Sequence, residues 1–222
     1  MTTSFLSQLP LLALTFLLFL PAIILHEVSH GYVAYMLGDP TAKMRGRLTL
    51  NPISHIDPFG TLLLPVLMLL LSGGTTAFGY AKPVPINPYN FRGDKRWGML
   101  LTGAAGPAMN LAIATVFGLA LRVALPLLPN TNVGQVVVQM WATFVFLNLM
   151  LMSFNLIPLP PLDGSRVVQY FLPDGALRVY EQIERYGFLV ILAVLFLIPG
   201  ALTGYLNVTA IPLMKLITGI SF

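Results

Sequence analysis

Three histidines occur in the 222-residue chain, and two of them sit in His26-Glu27-Val28-Ser29-His30. On a helix, positions i and i+4 lie about 40° apart and about 6 Å along the axis. His26 and His30 then present both imidazoles to one point, as two ligands of one tetrahedral zinc require. Glu27 lies within about 100° of His26 on the same arc. From there it reaches a water on that metal and can act as general base. This His-Glu-x-x-His pattern is the signature of zinc-dependent peptide hydrolysis. The bland alternative is that these polar residues merely face another helix. In or near hydrocarbon that arrangement is costly, because a glutamate and two histidines there need partners.

Zinc needs a third protein ligand. The chain has no cysteine, and His55 is the remaining histidine. The carboxylates to choose from are Asp39, Asp57, Asp94, Asp163, Asp174, Glu181 and Glu184. Asp163 ends the run Asn155-Leu-Ile-Pro-Leu-Pro-Pro-Leu-Asp163 and precedes Gly164. The prolines make a stiff approach with little backbone entropy to lose. Asp163 reads either as that ligand or as the N-cap of a helix starting near Ser165. His55 and Asp57 read as groups orienting a ligand, as an alternative ligand set, or as a turn before Pro58 and Gly60. Asn110 lies in an apolar stretch and needs a partner, either in the site or on another helix. Gly103 and Gly106 read as helix-packing residues.

The elements that must carry these residues are apolar. Hydrophobic residues make up 56 % of the chain and charged residues 9 %, against about 25 % charge in a soluble domain. An ordinary soluble protein, a disordered chain and a disulfide scaffold are all excluded. The formal charge of +4 rests on 12 basic and 8 acidic residues. In such a chain the surplus reads as cytoplasmic loop charge and not as nucleic-acid binding. We expect one membrane-embedded domain over 1–222: an all-α bundle of about four to six transmembrane or re-entrant helices.

Phe5 to Leu37 is the first apolar segment, with Pro21 expected to restart or kink its helix. Thr61 to Leu71 is about half a span and reads as re-entrant, ended by Gly73-Gly74. Trp97 to Leu128 and Val136 to Ile157 are full spans. Gly187–Leu197 and Ala210–Ile217 give one further span and a short hydrophobic helix. Within 45–90, residues 47–50 and 79–86 suggest a short β-hairpin, with Pro83 and Pro85 confining the second strand to an edge. Residues 38–60 and 79–96 carry seven of the twelve basic residues, 158–185 carry three, and the 129–135 turn carries none. The positive-inside tendency puts the first three regions in the cytoplasm. His26 and Asp163 then meet near that face.

Taken together, HEVSH in the first span, Gly106-Pro-Ala-Met-Asn110 and Asn155 to Gly164 resemble the site-2 protease family of intramembrane zinc metalloproteases. The segment Asn51-Pro-Ile-Ser-His55-Ile-Asp57-Pro-Phe-Gly60 is similar to a small prokaryotic branch without a PDZ domain. The resemblance covers about His26 to Gly164. It implies one zinc per chain held by His26, His30 and Asp163, with Glu27 as general base. It also implies that Asn155 engages the substrate backbone or oxyanion, and Asn110 stands with it as a lesser candidate. The expected partners are membrane-protein substrate segments and the bilayer, in a prokaryotic plasma membrane. A helical substrate must unwind to expose its carbonyls, and an edge strand at 47–50 or 79–86 would pair with it. Two rival readings are a catalytically silent binder of transmembrane segments and a metal transporter.

Overall fold

The computed structural model describes residues 2–71, 79–198 and 200–220. Eight α-helices lie among them. α1 (Thr2–Met36) runs through Pro21 without a break in its assignment. It ends at Gly38, whose φ of 110° suits glycine. The one-turn α2 (Thr41–Met44) follows. A π-helical turn over Pro58–Leu63 leads into α3 (Leu64–Leu71). The Gly73-Gly74 stop expected after it lies outside the described residues.

α4 (Lys95–Ala124) and α5 (Asn132–Asn155) form the centre. Asp94 caps α4 by accepting from Trp97 N, and Thr131 caps α5 by accepting from Gly134 N. The short α6 (Asp163–Phe171) is followed by α7 (Asp174–Leu197) and α8 (Ala201–Thr218). α4 packs against α1, α5, α6 and α8. Ala114, Leu121, Ala142, Val145, Leu149, Leu206, Ala210, Met214 and Ile217 bury one apolar core where α4, α5 and α8 meet.

Among the described residues, three helices are long and apolar enough to cross a membrane: Ala13–Met36, Lys95–Leu127 and Asn132–Asn155. Their outward faces are largely apolar, with Leu17, Val116, Val123 and Val136 exposed. A helix that is apolar all round belongs in hydrocarbon or a large core.

The expected β-hairpin is corrected: no strand occurs among the described residues. Residues 79–87 carry no helix or strand assignment, and they do not pair with 47–50 in a ladder. Pro83 and Pro85 have no N–H to give one. The remaining donors go to unrelated acceptors. Tyr80 N donates to Gly60 O, Lys82 N to His55 O, and Val84 N to the Glu27 carboxylate.

Candidate metal centre

α1 brings His26 and His30 to one face, one turn apart, and both are almost fully buried. Their Nε2 atoms lie 3.1 Å from each other. Asp163 Oδ2 sits 3.1 Å from His26 Nε2 and 3.2 Å from His30 Nε2. The three atoms form a nearly equilateral triangle. Ligands of a tetrahedral zinc at about 2.0–2.1 Å stand about 3.3 Å apart, so the spacing suits such an ion.

The outer nitrogens decide what those atoms can do. His26 Nδ1 lies 2.6 Å from Asn110 Oδ1, and His30 Nδ1 lies 2.6 Å from the carbonyl of Thr102. Both partners are acceptors, so each Nδ1 donates outward and each ring turns its Nε2 inward. The Asn110 orientation is itself fixed, because its Nδ2 donates to Ala22 O at 3.2 Å and to Asn148 Oδ1 at 2.9 Å. Two imidazole Nε2 atoms and one carboxylate oxygen therefore converge on one point. Asp163 Oδ2 is buried and has no donor. Three buried ligand atoms this close need a cation, a proton or a metal ion, to join them. The donor set, nitrogen and oxygen without sulfur, suits zinc. His26, His30 and Asp163 are the one group of this kind among the described residues.

Local sequence explains the convergence. Asp163 is the first residue of α6 and does not cap it, since Leu162 holds the capping position. The proline-rich run, with a cis bond between Pro160 and Pro161, carries the chain from the end of α5 back to α1 and α4. A Cβ on Gly164 would meet Leu156 O at 2.3 Å, so glycine alone lets α6 start this close to α5. A Cβ on Gly106 would lie 2.4 Å from His30 Nε2 and 2.5 Å from His26 Cε1. Gly106 is thus the floor on which both rings lie, beyond the packing role read from sequence. The second carboxylate oxygen, Asp163 Oδ1, faces Arg166 Nη1 at 3.8 Å.

Glu27 is half-buried beside the triad, and its Oε2 accepts from Val84 N at 3.0 Å. Asn110 touches His26 directly, with all its polar atoms committed to protein partners. Asn155 closes α5 and donates back to Leu151 O, a bond inside its own helix. His55 and Asp57 stand apart from the triad. His55 Nε2 donates to Thr49 O, and Asp57 accepts from Phe59 N and Gly60 N as a helix cap. Sequence reasoning missed Asn148 and the Thr102 carbonyl. Asn148 is fully buried in a membrane-length helix, and a polar amide there was the available signal. A backbone carbonyl leaves no signal in sequence.

Comparisons with known proteins agree on one family. The model of peptidase family M50 matches residues 122–198. A Bacillus subtilis protein named "Putative zinc metalloprotease YwhC" is 42 % identical over 196 residues, covering 87 % of this chain and 83 % of its own. The Mycobacterium tuberculosis protein "Putative zinc metalloprotease Rip2" is 33 % identical over 180 residues. That match covers 81 % of this chain but 65 % of Rip2, just under two thirds. Rip2 of Mycolicibacterium smegmatis is 29 % identical over 181 residues. No solved structure matches the chain. The chain belongs to peptidase family M50, the site-2 protease family of metalloproteases.

Proposed function

We propose that this protein is an intramembrane zinc endopeptidase that cleaves membrane-embedded segments of other proteins near the cytoplasmic face. The observation that carries the reading is the convergence of His26 Nε2, His30 Nε2 and Asp163 Oδ2 within about 3.2 Å of one another beside Glu27. The relatives' names, which specify zinc, point the same way.

His26, His30 and Asp163 would hold one zinc, which when bound supplies a Lewis acid for water and carbonyl oxygen. The protein's own residues do the rest. Asn110 and the Thr102 carbonyl keep both histidines in the Nδ1–H tautomer, which leaves Nε2 free to ligate. Glu27 takes a proton from the attacking water and later delivers it to the leaving amine. The Val84 N–H holds the Glu27 carboxylate at one oxygen, so the other is left to handle the proton. Asn155 sits at the cytoplasmic end of α5, where an amide can bond a substrate backbone loosened from its helix. Along α4, Thr102 lies about 10 Å and Asn110 about 22 Å from Lys95. The centre therefore lies below the basic end of α4 and above its midpoint, where a substrate helix would have to unwind.

Glu27→Gln tests the reading. The variant is expected to keep about one zinc per chain and to lose activity on a membrane-embedded reporter by about 100- to 10,000-fold. Full activity in Glu27→Gln would exclude Glu27 as the base. Zinc binding without peptide cleavage in the wild type would favour the silent binder or the transporter.

A further inference from the structure

Arg47 is 7 % exposed and has no carboxylate partner among the described residues. A buried cation without a counter-ion is costly unless hydrogen bonds satisfy it. Its partners are backbone carbonyls. Nη1 donates to Ser54 O, while Nη2 donates to Lys82 O at 2.5 Å and to Pro83 O at 3.3 Å. The Pro83 C=O belongs to the same peptide group as the Val84 N–H, and a trans peptide points the two in opposite directions. That N–H donates to Glu27 Oε2 at 3.0 Å. One peptide plane thus carries a guanidinium at its oxygen edge and a carboxylate at its N–H edge. Its dipole lies between opposite charges in the orientation both favour, and such chains of bonds strengthen one another.

We propose that Arg47 is a positioning residue for Glu27 and acts through the Pro83–Val84 peptide group. The surroundings are built for rigidity. Pro83 and Pro85 fix φ on both sides of Val84. Lys82 N is tied to His55 O at 2.9 Å. His55, buried and bonded to Thr49 O, belongs to this brace and not to the triad. Downstream, Asp39 accepts from Asn87 N at 2.7 Å and Asn90 Nδ2 at 2.8 Å, which pins the far end of the segment to the end of α1. The brace locks Glu27 against rotation toward either neighbouring side of α1.

The inference rests on Glu27 being the base, so its test includes a readout that needs no turnover. Wild type, Arg47→Met, Arg47→Lys and Val84→Pro are compared in proteoliposomes. Three quantities are read: Val84 amide exchange, zinc per chain, and kcat and KM on a quenched-fluorescent transmembrane peptide. In Arg47→Met, Val84 exchange is expected to rise about tenfold or more, matching Glu27→Ala. In the same variant kcat falls about 10- to 100-fold, with KM within about threefold and zinc unchanged. Arg47→Lys restores part of both. Val84→Pro, which deletes the donor and leaves Arg47 in place, reproduces the kcat loss. Unchanged Val84 exchange in Arg47→Met overturns the proposal, as does wild-type kcat in Val84→Pro. A kcat loss that only tracks zinc loss also overturns it. If the wild type cleaves nothing while Val84 exchange still responds to Arg47→Met and Glu27→Ala, the brace stands and the proteolytic reading fails.

Discussion

Each histidine of the candidate centre is held at both ends: the inner nitrogen faces Asp163, and the outer nitrogen is fixed by an acceptor from α4. For His26 this hold passes through two amides, Asn110 on α4 and Asn148 on α5. The Asn148 side chain spends its own Nδ2 on Phe144 O, so its oxygen has one direction left to accept from. Asp163→Ala is therefore expected to abolish tight zinc binding, measured as metal per chain after purification. Asn148→Leu, which touches no ligand, should weaken zinc about 10- to 100-fold in a chelator competition. Unchanged affinity in Asn148→Leu would mean that Asn110 keeps its orientation without the α5 amide.

Among the elements, α4 approaches α1 so closely that Gly106 lies against both imidazole rings. Gly106→Ala would put a methyl group within about 2.5 Å of ring atoms that cannot retreat without leaving Asn110 or Thr102. Overpacking of this kind costs about 1–3 kcal/mol. The expected outcome is a folded protein with much weakened zinc, read by metal analysis beside thermal unfolding. The segment after residue 79 is tied to α1 in a different way. Asp39 is fully buried and accepts from Thr41 N, Thr41 Oγ1, Asn87 N and Asn90 Nδ2. Burial alone would raise its carboxyl, but the four donors outweigh burial and hold it below the ordinary carboxylate value. A carboxyl depressed on folding stabilises the native state above its unfolded value near 3.9, and the contribution fades as pH falls through the folded value. Asp39→Ala should destabilise the protein at pH 7 by about 1–3 kcal/mol, with the difference from wild type shrinking in strong acid. Denaturation followed at both pH values checks this, and a pH-independent difference would contradict it.

Across the whole molecule, one end gathers α2, the start of α4, α6 and most of the basic residues, while the α4–α5 turn lies at the other. Basic residues flanking spans favour the cytoplasm. The chain has no cysteine, so single cysteines report topology cleanly. In intact cells an impermeant thiol reagent is expected to label Asn130→Cys directly. It should label Lys43→Cys and Lys95→Cys only after permeabilisation. The reverse pattern would place the candidate centre near the outer face.

Composition points to a membrane chain, and the spacing of His26, Glu27 and His30 points to metal-dependent hydrolysis. Helical periodicity fixes where i and i+4 point, and an apolar stretch has few stable forms other than a helix in hydrocarbon. The spans at 97–128 and 136–157 were legible for the same reason. Sequence could not choose between the two readings of Asp163, because a local pattern cannot say what lies across 130 residues of chain. Only the tertiary structure brings Asp163 Oδ2 to the two Nε2 atoms, and only it shows that Asn110 orients a histidine. The hairpin read into 47–50 and 79–86 failed where local pattern is weakest. Alternation suggested strands, but Pro83 and Pro85 removed the donors, and a buried Arg47 and the Glu27 carboxylate took what was left. Bonds that span distant segments depend on how the helices pack, which is decided by the fold as a whole.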